Sequence, residues 1–191
     1  MPTRESGGRA LFTTFNGTMK NVAFKNINLG AQTALVGYNT TGATVKDVYV
    51  DVAGVVLGYN DRLYITGCLF GKLSANGTIT LENVIVKSTT NGWNGSSVPF
   101  TGADDDYNEY GFVAGYVHPS GTKLLMDNCQ FIGGNGRIYG YHVEGSYYFK
   151  PSNELTGYNI YTNVSGLKTA VANQTVVLDG MIKTFYDNYI A

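Results

Sequence analysis

The chain has 191 residues, a net charge of −1 and only 14% charged residues. That length allows one domain with a sizeable core. The near-neutral balance leaves no electrostatic footprint for nucleic acid or an anionic membrane, and no apolar run approaches the ~18 residues of a spanning helix.

Gly, Asn, Thr and Tyr are abundant and Pro is scarce. This suits short strands joined by tight turns, not a helical bundle. Residues 1–8 read as an N-terminal extension or cap. Met1 to Phe12 lacks the basic and apolar regions of a signal peptide. The stretch from Leu11 to Leu29, LFTTFNGTMKNVAFKNINL, sets the pattern for the rest of the chain. An apolar run ends in Asn16-Gly17-Thr18, and an alternating run leads to Asn21-Val22-Ala23-Phe24. That last unit recurs as Asp47-Val48-Tyr49-Val50, Gly67-Cys68-Leu69-Phe70, Asn83-Val84-Ile85-Val86 and Asn128-Cys129-Gln130-Phe131. Gly17-Thr18, Gly42-Ala43, Gly77-Thr78 and Gly121-Thr122 read as turns ahead of these units. Gly37-Tyr38, Gly58-Tyr59 and Gly115-Tyr116 close the apolar segments upstream.

Strands this short cannot bury an apolar face alone, so each repeat is expected to stack on the next. The uneven spacing fits the coils of a β-helix, whose strands keep register while loops vary. Alternation puts one face inward and one outward. Asn at the corner has a physical reason. It tolerates the left-handed region, and its amide can bond to its counterpart in the next repeat. Cys68 and Cys129 are too few for a disulfide scaffold. Both are expected at the place of Val22, Val48 and Val84, as small buried hydrophobes.

The units ALFTTFNGTMKNVAFKNINL and ALVGYNTTGATVKDVYVDV resemble the Gly-rich β-helix repeats, including the GLUG type, of bacterial surface proteins. That group lies within the pectin-lyase-like right-handed parallel β-helices, which also include phage tail and receptor-binding proteins. The likeness spans roughly residues 9 to 145. It implies an all-β, right-handed parallel β-helix of short irregular coils over 9–164, placed extracellularly, on a cell surface or on a virion. It also implies attachment to a glycan or a partner protein, as part of a larger chain, assembly or homo-oligomer. It brings no catalytic motif.

The repeat lapses twice. Residues 88–110 read as a long loop excursion carrying Trp93, the only tryptophan, with Tyr107 and Tyr110. Loops on rigid scaffolds often carry function, and Trp93 could stack on a sugar or shield the end of the core. Asp104, Asp106 and Asn108 partly echo a calcium ladder, but lack the Gly and distant Glu of an EF-hand. They read more simply as a solvated acidic turn, and no other cofactor is indicated. The second lapse is a Tyr-rich strand region around 138–161, where Tyr139, Tyr141 and Tyr147 combine flat apolar area with a hydroxyl. An outward Tyr ladder with ordinary strand packing explains those tyrosines more simply. His118, before Pro119, reads as a turn residue. Residues 165–191 read as a mixed C-terminal cap, with an apolar stripe at Leu167, Ala170 and Val171. The Asn-x-Ser/Thr sequons at Asn16, Asn39, Asn76, Asn94, Asn163 and Asn173 are taken as turn chemistry.

Two functions compete. A non-catalytic structural or binding module needs no convergent acid and base groups. A carbohydrate-active enzyme, either a lyase or a hydrolase, needs two or three carboxylates, or an Arg or Lys with a carboxylate, on adjacent repeats. Glu82 and Asp127 read as isolated acids, which favours the module with no catalytic residue.

Overall fold

The structure, a computed structural model, describes residues 9–29, 33–55, 64–88, 108–118, 121–133, 138–139 and 155–191. In chain order the strands are β1 (Arg9–Ala10), β2 (Thr18–Leu29), β3 (Thr33–Ala34), β4 (Gly37–Val55), β5 (Tyr64–Gly67), β6 (Phe70–Ser88) and β7 (Asn108–Gly111). There follow β8 (Ala114–Val117), β9 (Lys123–Asp127), β10 (Cys129–Gly133) and β11 (Tyr158–Tyr161), then two helices, α1 (Val164–Ala172) and α2 (Gly180–Tyr189). The described chain is thus mostly strand, with helix confined to its C-terminal end.

The strands form two sheets. One has the order β1-β3-β5-β7; the other has β11-β10-β6-β4-β2, with β8 and β9 also pairing β6. Every ladder among the described residues is parallel. From β1 to β8 the chain visits the sheets alternately, while β8 to β11 all belong to the larger sheet, and strands pair with counterparts from neighbouring repeats. Inward positions line up in columns. Phe24, Val50, Val86 and Phe131 are successive register partners, with the exposed Ile160 next in the row. So are Met19, Val45, Leu81 and Met126. Val50, Val86 and Phe131 are fully buried, and each such side chain contributes roughly 1.5–3 kcal/mol. The Phe131 ring stacks on Phe112 from the other side of the core, 5.2 Å between centroids.

The corner residues behave as their chemistry requires. Asn21, Asp47, Asn83 and Asn128 take φ of 55°, 53°, 52° and 48°, the left-handed region that Asn and Asp visit most readily after Gly. Asn83 Nδ2 donates to Asp47 Oδ1 at 3.1 Å, and Asn128 Nδ2 donates to Asn83 Oδ1 at 2.9 Å. The chain of bonds continues through buried Gln130, whose Nε2 donates to Asn128 Oδ1 and whose Oε1 accepts from Asn159 Nδ2 and Tyr161 Oη. One such bond is worth about 1 kcal/mol net, less than one buried core side chain. Burial therefore holds the stack together, and the corner fixes its register.

A fifth corner escapes the sequence pattern. Gly157 lies one residue before Tyr158, the register partner of Cys129, and has φ 77°. A Cβ there would come within 1.9 Å of the Met126 carbonyl oxygen, so only glycine fits. Gly67, by contrast, is not a member of this column. It lies in the other sheet and pairs with Ala34 and Gly111. Cys68 consequently sits beside Phe112 at a different bend, not in the Val22 column. Cys129 does occupy the expected column, and both cysteines are buried with neither in a disulfide. The aromatic alignment is likewise displaced by one. Gly37 pairs with Phe70, and Phe70 with Ala114, so Tyr38 and Tyr116 are not equivalent.

The corner divides the larger sheet into an upstream limb (18–20, 44–46, 78–82, 123–127) and a downstream limb (22–24, 48–52, 84–88, 129–133). The outward side of the downstream limb is apolar. Tyr49, Ile85 and Ile132 pack there against Leu167 of α1 and Ile182, Phe185 and Tyr186 of α2. The helices therefore lie along this outward face. α1 begins behind Asn163, whose Oδ1 accepts from Gly166 N at 3.2 Å, an N-cap as its chemistry favours. Leu167 is its buried residue, with Ala170 and Val171 packed partly beside it. Tyr189 near the end of α2 stacks on Tyr49 at 5.4 Å and lies under Lys25 at 4.3 Å.

The excursion expected over 88–110 is strand at both ends. Ser88 is the buried last residue of β6, and Asn108 opens β7.

Candidate functional site

The upstream limb keeps its outward side uncovered by the helices. Alternation sends Met19, Val45, Ile79 and Leu81 inward and leaves Thr, Lys and Glu outward. Register sorts them into rows that cross the strands, about 4.8 Å apart from strand to strand. One row is Thr18, Thr44, Thr80 and Leu125, and the next is Lys20, Lys46, Glu82 and Asp127. A third holds Gly42, Thr78 and Lys123. Further back along the strands lies the row Thr14, Asn39, Lys72 and Tyr116. The first three rows form a polar face, with Leu125 as an exposed apolar member, and the fourth lies beyond the turn at Asn76.

The face is held at its upper edge by a second set of turns. Asn16 Oδ1 accepts from Thr41 N, Thr41 Oγ1 and Gly42 N at 2.9, 3.0 and 3.2 Å. Asn76 takes φ 57°, and a Cβ on Gly77 beside it would fall 2.4 Å from the Thr41 carbonyl oxygen. The sequon asparagines at 16, 76 and 163 thus serve turns and a helix cap.

Glu82 and Asp127 are not isolated acids. They are register partners on β6 and β9, and Lys46 stands on the other side of Glu82. Lys46 Nζ donates to Glu82 Oε1 in a salt bridge. That bond raises the Lys46 pKa above its ordinary value, against a smaller desolvation effect. The charges of Glu82, Asp47 and Asp179 add to the rise. A lysine serving as a general base needs a lowered pKa, so the shift runs against proton abstraction.

Of the residues singled out by sequence, Tyr139 is the one whose side-chain surroundings are described. It bridges to Ala114 and packs, half-buried, against the core beside Tyr158. Burial first, and then Tyr158, push its hydroxyl above the ordinary value. Asn108 and Tyr110 are placed only as backbone of β7, opposite Tyr64 and Thr66. Trp93, Asn94, Tyr107, Tyr141, Tyr147, Asp104 and Asp106 lie outside the described residues. Among the described residues no group of three or more His, Cys, Asp or Glu is placed to hold a metal, and no helix is long and apolar enough to cross a membrane.

Sequence reasoning passed over Lys46 and Lys72, and read Tyr116 and His118 only as the end of an apolar segment and a turn residue. Their signal was the alternation itself, since each flanks an inward apolar residue. Register was needed to bring them together.

No protein-family model, no curated protein and no solved structure matches the chain.

Proposed function

We propose that this chain is a non-catalytic glycan-binding module built on a right-handed parallel β-helix and displayed on a virion or bacterial cell surface. The parallel order of both sheets supports the scaffold. Parallel neighbours need crossover connections, and such crossovers are right-handed in about 98% of cases. Between β2, β4, β6 and β8 each crossover carries a strand of the other sheet. The resemblance of the repeat units to surface and phage β-helix repeats supports the placement.

The observation that carries the binding reading is the row of Thr18, Thr44 and Thr80 beside Lys20, Lys46 and Glu82 on one open face. Hydroxyl, ammonium and carboxylate groups at strand spacing offer repeated donors and acceptors to a polyhydroxylated chain. A rigid sheet holds them without the entropy loss that ordering a loop would add.

The adjacency of Lys46, Glu82 and Asp127 favours a second reading, a polysaccharide lyase or hydrolase. Against it, Glu82 is engaged by a lysine held in its protonated form. One experiment separates the two: a glycan array run with a reducing-end release assay on the purified chain. Binding without release is expected. Release that disappears in Glu82→Gln would replace the module with the enzyme, and binding only to proteins would point to a protein partner.

A further inference from the structure

We propose that Asn16 and Gly17 form a self-modification site, in which the main-chain nitrogen of Gly17 attacks the Asn16 side chain while Thr41 and Gly42 of the next repeat hold the oxyanion that forms. The product is an aspartyl or isoaspartyl residue at position 16.

Asn16 Oδ1 accepts from Thr41 N at 2.9 Å, Thr41 Oγ1 at 3.0 Å and Gly42 N at 3.2 Å. Two of these donors are backbone N–H groups, which cannot accept. They therefore fix the side-chain oxygen, not its amide nitrogen, toward the next repeat. A neutral carboxamide oxygen offers two lone pairs, so the third donor is fully matched only when attack on Cγ turns that oxygen into an oxyanion. Preorganised donors about 2.7–3.1 Å from a developing oxyanion are what stabilises acyl-transfer transition states. The same three bonds polarise Cγ before attack.

The nucleophile is the next atom group along the chain. Asn16 and Gly17 are both exposed, and a Cβ added to Gly17 would meet nothing within 4 Å. Neither a side chain nor a neighbour obstructs closure of a five-membered ring there. The Gly17 nitrogen gives its proton to water or hydroxide and bonds to Asn16 Cγ. The Cγ–Nδ2 bond breaks, and Nδ2 leaves as ammonia with a proton taken from water. Water then opens the succinimide at one carbonyl to give aspartate, or at the other to give isoaspartate. Water is the only co-reactant, and nothing is oxidised or reduced.

Asn76–Gly77 is the same dipeptide in a different setting. It lies within β6, Gly77 is buried, and a Cβ on it would fall 2.4 Å from the Thr41 carbonyl oxygen. Packing there resists the main-chain movement that ring closure needs. At position 16 the two products also differ. Aspartate keeps the three donors and makes the bonds charge-assisted, hence stronger, whereas isoaspartate adds a carbon to the main chain just ahead of β2.

The test follows conversion at each asparagine by mass spectrometry of proteolytic fragments, with the full chain incubated at mildly alkaline pH beside a synthetic peptide of residues 11–22. In a water-excluded enzyme site one oxyanion donor is worth about 10²–10³-fold; on this exposed turn water replaces much of that. Asn16 in the folded chain should convert at least threefold faster than in the peptide, and at least tenfold faster than Asn76. Thr41→Ala, which removes the Oγ1 donor, should slow Asn16 threefold or more, with urea unfolding to check that the fold survives. A folded rate at or below that of the peptide would show that the three bonds clamp the side chain instead, and would overturn the proposal. A rate that Thr41→Ala leaves unchanged or raises overturns it too, as does faster conversion at Asn76.

Discussion

Replacing Asn83 by alanine and by glycine separates the two tasks of the corner residue. Asn83 sits at φ 52°, donates to Asp47 and accepts from Asn128. Alanine forces an ordinary L-residue into the left-handed region, at roughly 1–2 kcal/mol, and removes two side-chain bonds worth about 1 kcal/mol each. The expected loss is about 3–4 kcal/mol, a large fraction of a domain's total stability. Glycine loses the same bonds but takes positive φ freely; its greater unfolded-state entropy returns roughly 0.5–1 kcal/mol of that advantage. Asn83→Gly should therefore be more stable than Asn83→Ala by about 0.5–1 kcal/mol, reversing the usual order of these residues in a strand. Urea unfolding at equal m-values reads the difference. Thr80, three residues upstream, has no positive φ and serves as the control: there alanine should beat glycine. If Asn83→Ala equals or exceeds Asn83→Gly, the left-handed corner is not what selects asparagine.

Three single features give further outcomes. Gly157→Ala places a Cβ against the Met126 carbonyl at φ 77° and should cost about 2–4 kcal/mol; a loss under half of that in urea unfolding would contradict the fifth corner. Thr40 has a fully buried hydroxyl with no hydrogen-bond partner among the described residues, in register with Leu73. Thr40→Val should raise stability by about 1 kcal/mol, and any destabilisation would show the hydroxyl to be bonded. Burial pushes the Cys129 thiol from an ordinary value near 9 up to about 12. The folded chain then keeps a proton that the unfolded chain releases. The resulting stability is complete below pH 9 and falls as pH rises toward 12, by at most about 1.4 kcal/mol per unit. Burial of Tyr49, with the charge of Asp51, acts in the same direction at higher pH. Cys129→Ala should flatten the decline in urea midpoint between pH 9 and 11, and an unchanged slope would refute it.

The corners at Asn21, Asp47, Asn83 and Asn128 were legible because few residues accept left-handed backbone, so the pattern carries its own cause. Gly67 misled because glycine suits any bend, including one in the other sheet. Gly157 was hidden because Tyr158 stands where Val22, Val48 and Cys129 stand in the other repeats. The helical cover had a signal that alternation alone ignores. Val48-Tyr49-Val50 and Val84-Ile85-Val86 are apolar on both sides, as in strands buried on both faces. The candidate face was least legible. Lys46, Glu82 and Asp127 are far apart in sequence, and stretches of unequal length separate their strands, so only the register brings them together. The loop and tyrosine sites drew attention by composition, whereas the face is set by pairing.

Everything proposed for that face depends on parallel, in-register stacking of the upstream limbs, which cysteine cross-linking measures directly. Thr44 and Thr80 are register partners on β4 and β6, whereas Thr78 is the partner of Gly42. A disulfide needs Cα atoms roughly 4.4–6.8 Å apart; register partners meet that limit, and a two-residue offset exceeds it. Oxidised Thr44→Cys/Thr80→Cys should cross-link nearly completely, read by mass spectrometry of proteolytic fragments, while Thr44→Cys/Thr78→Cys should remain reduced. Preferential cross-linking of the offset pair, or none in either, would contradict the register and the binding face built on it.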